Sequence, residues 1–214
     1  MITLWGRANS INVQKALWAL DELGLDYQHV PAGGDAGGLD EPAFRAMNPN
    51  GRVPVLMDGE AAIWESNAIV GYLCAAYAPD RLCALEPSAR ARQQMWMDWT
   101  ATTLQPPVMD LFWGYWRTPA ARRDAGANGR LATAAARTLM LLDRQLSQRP
   151  FVAGDDFSMA DIPAGTLMHR CFGMGVAMPD VPHLHAWRAR LAERKPYRER
   201  VMTPFDDLHG RLAF

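Results

Sequence analysis

The first 30 residues constrain the fold more than any other part of the chain, because strand and helix patterns follow one another there in a fixed order. Residues 2–5, ITLW, are β-branched and aromatic and stop at Gly6, which predicts a short strand. Apolar residues at helical spacing follow over residues 10–23, and Gly24 is a typical helix C-cap. Residues 25–30 predict a second strand. A strand–helix–strand unit of this kind makes a parallel pair in one sheet.

The next segment predicts two more strands joined by a hairpin turn. Strand patterns occupy residues 53–57 and 61–64, with the turn DGE between them. A short helix is expected at residues 42–47, before these strands, and a longer helix at residues 66–76, after them. The first domain, residues 1–78, therefore has the expected order βαβαββα.

After this domain the pattern changes to helix alone. Residues 79–87 are expected to form a linker, since Pro79 and Pro87 interrupt regular structure. Residues 88–214 show no strand pattern and predict an all-α domain, so the chain is expected to be an α+β protein of two domains. Its helices are expected at residues 88–117, within 120–148, and at 158–171, 183–193 and 196–202.

Two features of the second domain predict local geometry. Pro106 and Pro107 must kink or divide the first of its helices, because proline donates no backbone hydrogen bond. Ser158 followed by Asp161 is a variant of the capping box that opens a helix, and we assign it a folding role without chemistry.

Composition narrows the classes of function. The formal net charge of −1 gives no basic surplus for nucleic acid, and no run of 18 apolar residues predicts a membrane span. The three cysteines, Cys74, Cys83 and Cys171, match no zinc or redox spacing, which favours a reducing, cytoplasmic compartment. The five histidines show no ligand pattern, so no metal is expected.

Polar residues at the start of the first helix are the first candidate site. Ser10 and Asn12 stand where a strand ends and a helix begins, within the segment RANSINVQK. Unpaired backbone N–H groups and the positive end of the helix meet there. These residues either contact an anionic ligand or cap the helix.

Two further segments of the first domain point to ligand contacts. In NPNGRVPVL a proline enters a strand, where it loses a ladder hydrogen bond. A cis bond between Val53 and Pro54 would turn the backbone of Val53 toward a ligand, to pair with it like an added strand. In WESNAI, Glu65 and Ser66 open a helix, which is either a carboxylate site or an ordinary capped start.

In their order and spacing, these three segments resemble the glutathione transferase family. The resemblance extends to the helical second domain, where FVAGDDFSMADI is similar to the family's capping segment. The likeness is to bacterial cytosolic members with serine or asparagine in the active-site region. It implies a thioredoxin-like first domain, glutathione as co-substrate and a homodimer.

The resemblance also implies roles for individual residues. Ser66 would hold the γ-glutamyl carboxylate of glutathione, and Glu65 would pair with its ammonium group. Val53, preceding cis Pro54, would pair with the cysteinyl backbone. Arg52 is the expected partner of the glycyl carboxylate, unless it is a solvated surface charge.

Thiol activation is expected from Ser10 or Asn12, with Ser10 preferred by its position in the serine-type pattern. Half-ionising a thiol of pKa near 8.5 at pH 7 requires about 2 kcal/mol. One hydrogen bond to a charged acceptor contributes about 1.5–3 kcal/mol, so a single donor at a helix N-terminus suffices.

The second substrate is expected between the domains, at the segment DLFWGYWRT. Trp113 and Trp116 would form an apolar wall, although aromatic residues at helical spacing also occur in ordinary cores. Arg117 would steer an anionic leaving group or a carboxylate.

The expected function is conjugation of the glutathione thiolate to small, hydrophobic electrophiles. A non-enzymatic glutathione or ligand binder on the same fold is one alternative. A glutathione-dependent thiol or peroxide reductase is the other, and the lack of a cysteine at residues 7–15 disfavours it.

Overall fold

The computed structural model describes residues 1–212 and contains a four-stranded sheet followed by a helical domain. The expected fold class is confirmed. The elements of the first domain are β1 Ile2–Trp5, α1 Ile11–Leu23, β2 Tyr27–Val30, α2 Pro42–Met47, β3 Val55–Asp58, β4 Ala61–Trp64 and α3 Ser66–Tyr77. Those of the second are α4 Pro87–Trp99, α5 Gln105–Leu111, α6 Ala125–Leu146, α7 Asp161–Gly173, α8 Pro182–Ala192 and α9 Lys195–Arg200. The division into residues 1–78, 79–87 and 88–214 stays a prediction.

The sheet has the strand order β2-β1-β3-β4. Strands β1 and β2 pair in parallel, as the strand–helix–strand pattern predicts, and the other two pairings are antiparallel. The register places Trp5 opposite Val55, so the C-terminal end of β1 lies beside the beginning of β3. The loops at these two strand ends are therefore neighbours, and both carry candidate site residues.

Helix α1 is buried on nearly all sides. Its residues from Val13 to Leu20 are all buried, because α3 covers one side and helices α7 and α9 of the second domain cover another. The buried residues are mostly apolar but include Gln14 and Lys15, so this part of the helix lies within the core on every side. The N-terminus of α1 thus opens at the junction of the two domains.

One continuous apolar core crosses that junction. Trp18 of α1 is fully buried and lies 5.6 Å from Phe157 and 4.8 Å from Tyr197, measured between ring centroids. Gly165 of α7 permits this approach, since a Cβ atom there would lie only 2.7 Å from Leu191 and 3.0 Å from Trp18. The shared core fixes the two domains relative to each other, and with them the cleft between them.

The helix expected at residues 88–117 divides, as Pro106 and Pro107 predict. Helix α4 passes into a π-helical segment at Thr100–Leu104, then into α5, and then into a second π-helical segment at Phe112–Arg117. The carbonyl groups four residues before the prolines, those of Thr102 and Thr103, cannot receive the usual helical hydrogen bonds. The widened turns keep the chain helical past the prolines.

The contact expected between Ser158 and Asp161 is confirmed, although the helix begins at Asp161 and not at Ser158. The buried carboxylate of Asp161 accepts from the backbone N–H of Ser158 at 2.9 Å and of Val152 at 2.9 Å. It also accepts from Nε1 of Trp187 at 2.9 Å, so it ties three segments of the second domain together. Within residues 1–212, no helix combines the length and the hydropathy that crossing a bilayer requires.

Candidate functional site

Ser10 is the N-cap residue of α1, but its side chain does not cap the helix. The residue is only 8% exposed and has an extended backbone conformation, typical of an N-cap. Its side chain makes no capping hydrogen bond in the described part of the chain, while its backbone N–H donates to the carbonyl of Arg7 at 3.0 Å. The hydroxyl lies on the wall of a pocket, where it can donate to a ligand.

Asn12 connects the N-termini of α1 and α3. Its Oδ1 accepts a hydrogen bond from the Oγ of Ser66, the first residue of α3, at 3.3 Å. Because Oδ1 is the acceptor, the amide Nδ2 is the atom left to donate. Asn12 lines two separate pockets, one on each side of its side chain.

The loop before β3 presents Arg52 and Val53 to one of these pockets. The expected cis bond between Val53 and Pro54 is confirmed, and β3 begins after it, at Val55. Asn48, only 3% exposed, holds the loop by donating from Nδ2 to the carbonyl of Arg52 at 2.8 Å and accepting from the N–H of Asn50 at 3.0 Å. Arg52 itself is exposed.

Glu65 has a strained backbone immediately before α3. Its φ of 68° and ψ of 117° lie where non-glycine residues are rare. Such a conformation costs of order 1–3 kcal/mol and is concentrated at ligand sites. The strain directs the exposed Glu65 into the same pocket as buried Ser66.

Lys15 lies beneath these residues and joins the two domains. Its side chain is almost fully buried, at 2% exposure, and its Nζ donates to Oε1 of Gln105 in α5 at 2.9 Å and to Oγ of Ser66 at 3.4 Å. Burial lowers the pKa of Lys15 to about 8, although the nearby Glu65 carboxylate acts in the opposite direction. Lys15 was not among the predicted site residues, yet a lysine on the same helix face as buried Ile11 and Ala19 is the signal that marks it.

The first pocket, with a volume of about 580 Å³, carries charges of both signs. Lys15 supplies a cation, Glu65 and Asp98 supply carboxylates, and the N-terminus of α3 adds backbone N–H groups. Ser66 and Asn12 contribute a hydroxyl and an amide. This combination fits a zwitterionic group that presents a carboxylate and an ammonium side by side.

The second pocket, with a volume of about 510 Å³, is aromatic and cationic. It contains Ser10 and Asn12 at one side and Phe112, Trp113 and Met109 at another. Its described lining also includes four arginines: Arg7, Arg52, Arg117 and Arg170. Trp113 and Arg117 therefore lie where the sequence predicted substrate contacts.

Trp116 does not belong to the described lining of this pocket, and its contact with the second substrate stays a prediction. Its ring packs against Phe205, with 5.1 Å between centroids, and against His209, at 4.8 Å. Its Nε1 points to the carbonyl of Phe205 at 3.4 Å. These contacts are typical of a core side chain, which is the alternative that the sequence left open for the aromatic residues of this segment.

Arg7 and Arg170 were also absent from the predicted site. Arg7 lies in the loop between β1 and α1, close to Ser10 in sequence, and a basic residue beside a helix N-terminus could have been singled out. Arg170 lies in α7, far from every motif, at 4% exposure among apolar residues. Only the packing of α7 against α1 brings it to the pocket.

Comparisons with known proteins identify the class to which this fold and site belong. The chain matches the N-terminal domain family of glutathione S-transferases over residues 4–81 and the corresponding C-terminal domain family over residues 104–195. All the predicted site residues fall within these two matched regions.

Individual relatives span nearly the whole chain. Glutathione S-transferase GstB of Escherichia coli (strain K12) is 40% identical over 206 residues, which cover 95% of this chain and 99% of that protein. The crystal structure of the theta class glutathione S-transferase from Xanthomonas axonopodis pv. citri, with glutathione bound, is 47% identical with a TM-score of 0.90. That match covers 95% of this chain and 98% of the other. The chain belongs to the glutathione S-transferase family, and the family expected from its three motifs is confirmed.

Proposed function

We propose that this member of the family transfers the glutathione thiolate to small electrophiles that have an apolar framework. The observation that carries this proposal is the position of Asn12, which lines both the first and the second pocket. A tripeptide with its γ-glutamyl end in the first pocket has its thiol near Asn12, facing the second pocket. Glutathione is thus the co-substrate, and the electrophile occupies the aromatic side.

Ser66 and Glu65 hold the γ-glutamyl end in this proposal. The Ser66 hydroxyl turns from Oδ1 of Asn12 to the carboxylate, which the backbone N–H groups that open α3 also bind, and Glu65 pairs with the ammonium group. Val53 pairs with the cysteinyl backbone, because its peptide groups precede the first residue of β3. Arg52 is the partner of the glycyl carboxylate.

Ser10 is the proposed donor to the sulfur, and Asn12 is the second candidate. The Ser10 hydroxyl makes no capping bond within residues 1–212, and the amide of Asn12 has Nδ2 as its donor. Stabilising the thiolate by about 2 kcal/mol is within the range of one charge-assisted hydrogen bond. The thiolate then attacks the electrophile, a sulfur–carbon bond forms, and the leaving group departs with the bonding electrons.

The test measures binding and turnover on the same preparation. We expect calorimetry to detect glutathione binding and absorbance to detect conjugation of 1-chloro-2,4-dinitrobenzene above the uncatalysed rate. A Ser10→Ala, Asn12→Ala double variant should lose most of the turnover at neutral pH, whereas Ser147→Ala, on the exposed end of α6, should not. Binding without turnover would support the non-enzymatic alternative. The cysteines do not support the reductase alternative, since all three are buried.

A cytoplasmic homodimer is the proposed state of the protein. The free, buried cysteines are consistent with a reducing compartment. Apolar side chains remain exposed around α3 and α4, among them Tyr77 at 41%, Leu85 at 57% and Met95 at 55%. We expect sedimentation at micromolar concentration to give twice the chain mass of 23.8 kDa. A species at the single-chain mass would reject the dimer.

A further inference from the structure

A buried lysine and a glutamine meet at the wall of the first pocket, and they come from different domains. Lys15 of α1 and Gln105 of α5 both line this pocket. Nζ of Lys15 donates to Oε1 of Gln105 at 2.9 Å and to Oγ of Ser66 at 3.4 Å. We propose that Lys15 is a further glutathione-binding residue, which pairs with the γ-glutamyl carboxylate and is positioned for that contact by Gln105. This inference rests on the proposed function, because it adds a residue that binds the same ligand.

The position of the ammonium group fits that of the carboxylate in the proposed complex. A carboxylate oxygen that accepts a hydrogen bond from Oγ of Ser66 lies about 2.7 Å from that atom, and therefore within about 6 Å of Nζ of Lys15. Opposite charges at this separation favour each other's ionised form. Because Lys15 is only 2% exposed, salt and water screen this interaction less than they screen a pair on the surface.

The hydrogen-bond partners of Lys15 within residues 1–212 are neutral. They are the hydroxyl of Ser66 and the side-chain amide of Gln105. Burial lowers the pKa of Lys15 to about 8, and the charge of Glu65 acts in the opposite direction. The ammonium group therefore loses its proton more readily than that of a lysine in water. A carboxylate bound beside it would favour the protonated form, so the ligand and a proton should bind together.

The other titratable groups that share the pocket with Lys15 are Glu65, Tyr72 and Asp98. Asp98 is exposed and accepts a hydrogen bond from Nε2 of Gln94 at 2.8 Å. The hydroxyl of Tyr72 donates to the carboxylate of Asp58 at 2.9 Å. In the proposed complex Glu65 pairs with the ammonium group of the ligand, which leaves the neighbouring γ-glutamyl carboxylate to Lys15.

Charged groups of α7 and α9, the helices that cover another side of α1, have contacts elsewhere. Arg170 of α7 lies 5.2 Å from the ring centroid of Phe112, at the second pocket. Arg200 of α9 pairs with Asp21, near the C-terminal end of α1, at 2.5 Å. Neither arginine is among the causes that change the pKa of Lys15.

Gln105 fixes the ammonium group before the ligand arrives. It is the first residue of α5 and directly follows the π-helical segment Thr100–Leu104. Segments of this kind are rare and frequently lie at functional sites. Since Gln105 belongs to the second domain and Ser66 to the first, the shared core that joins the domains also holds Nζ of Lys15 in place. A side chain held in this way loses little conformational entropy when the carboxylate binds.

The two lysines of the chain make a direct test possible, because lysine occurs only at positions 15 and 195. We expect NMR titration of protein labelled with ¹³C at lysine Cε to show that saturation with S-methylglutathione raises the pKa of Lys15 by about one unit or more. This ligand has no thiol to titrate, and its own ammonium group would lower that pKa, so a rise reports the carboxylate. The signal of exposed Lys195 is the internal control and should not move on binding.

An unchanged or lowered pKa of Lys15 in the complex would overturn the inference. Failure of S-methylglutathione to bind at all would instead contradict the proposed function. Calorimetry gives a second measurement: Lys15→Met should weaken S-methylglutathione binding at least about fivefold, since a buried hydrogen bond to a charged group is lost. Lys195→Met should leave it unchanged. Full affinity in Lys15→Met would also overturn the inference, and if that variant does not fold, the NMR titration of the native protein decides.

The role of Gln105 has its own matched pair of variants. Gln105→Glu places a carboxylate where the Lys15 contact of 2.9 Å now ends in a neutral amide. It should raise the pKa of Lys15 in the free protein, reduce the further rise on binding, and weaken S-methylglutathione binding at least about fivefold by repelling the ligand carboxylate. Gln105→Met adds no charge and should keep the rise on binding. The same rise in Gln105→Glu as in wild type would contradict the positioning of Lys15 by Gln105.

Discussion

The two pockets meet at Asn12 but differ in how they balance charge. The first combines Lys15 with the carboxylates of Glu65 and Asp98, and so suits a ligand that carries both signs. The described lining of the second contains four arginines together with aromatic side chains. The comparison therefore predicts different responses on the two sides.

The largest effect is expected in the first pocket, from Ser66→Ala. The hydroxyl is buried and lies beside Lys15 and Asn12, so its loss removes a desolvated hydrogen bond to the γ-glutamyl carboxylate. Such a loss costs about 1.5–3 kcal/mol, or roughly 10- to 150-fold in glutathione affinity. Titration calorimetry measures it. Glu65→Gln should weaken binding less, because Glu65 is exposed and keeps water.

Equal glutathione affinity for wild type and Ser66→Ala would break the comparison, since the first pocket would then not bind the γ-glutamyl group. The matched control is Ser88→Ala, an exposed serine near the start of α4. It should leave glutathione affinity unchanged.

The buried Lys15 of the first pocket should make the free energy of unfolding of the chain depend on pH. Burial lowers its folded-state pKa from 10.5 to about 8, so the folded chain releases this proton before the unfolded chain does. Between these two values the unfolded state binds more protons, and the contribution of Lys15 to stability rises with pH. Relative to Lys15→Met, wild type should gain up to about 1.4 kcal/mol per pH unit over this window.

Urea unfolding at pH 7, 8 and 9 gives the free energy of unfolding of wild type and of Lys15→Met. The titration of all other groups cancels in the difference between the two proteins. The chain's other lysine provides the control. Lys195 is exposed, with a side-chain exposure of 75%, and Lys195→Met should show no such slope. If the difference in free energy of unfolding between wild type and Lys15→Met does not change with pH, then Lys15 has the same pKa in the folded and unfolded states.

The first pocket was far easier to predict from the sequence than the second. Asn12, Glu65 and Ser66 lie near helix N-termini inside short motifs, where free backbone N–H groups indicate an anion site from the sequence alone. The sheet order followed equally from local patterns, because strand–helix–strand and hairpin units have few topologies. Lys15 shows the limit of local reasoning, since its burial depends on Gln105 of the other domain.

The second pocket depends on long-range packing that no short motif records. Arg170 reaches it only because α7 packs against α1, and Gly165 allows that approach. Trp116, which was predicted in the same wall as Trp113, packs against Phe205 and His209, and both lie far from it in the sequence. Proline at 106 and 107 signals an irregular helix, but not the direction in which the later side chains turn.

A smaller effect is expected where the pockets meet, on the pKa of the bound thiol. Replacing the true donor with alanine should raise that pKa by about one unit, because the helix N-terminus alone contributes only about 0.3–1 kcal/mol. Thiolate absorbance against pH, in the glutathione complexes of Ser10→Ala, Asn12→Ala and the double variant, measures it. A shift in Asn12→Ala alone would make Asn12 the donor. No shift in any variant would assign the stabilisation to the backbone.

The smallest effect is expected from Arg52, which is exposed and lines the second pocket, although we propose that it binds the glycyl carboxylate of glutathione. Solvent screens an exposed ion pair, so Arg52→Gln should weaken glutathione binding only about two- to fivefold. Replacing the glycyl carboxylate of glutathione with a carboxamide should weaken binding to wild type by a similar factor. The same replacement should hardly change binding to Arg52→Gln. Arg122→Gln, outside both pockets, is the control. If the two changes instead multiply, Arg52 and the glycyl carboxylate do not interact. Arg52 would then belong with the second pocket, which it lines, and glutathione would be held by the first pocket without it.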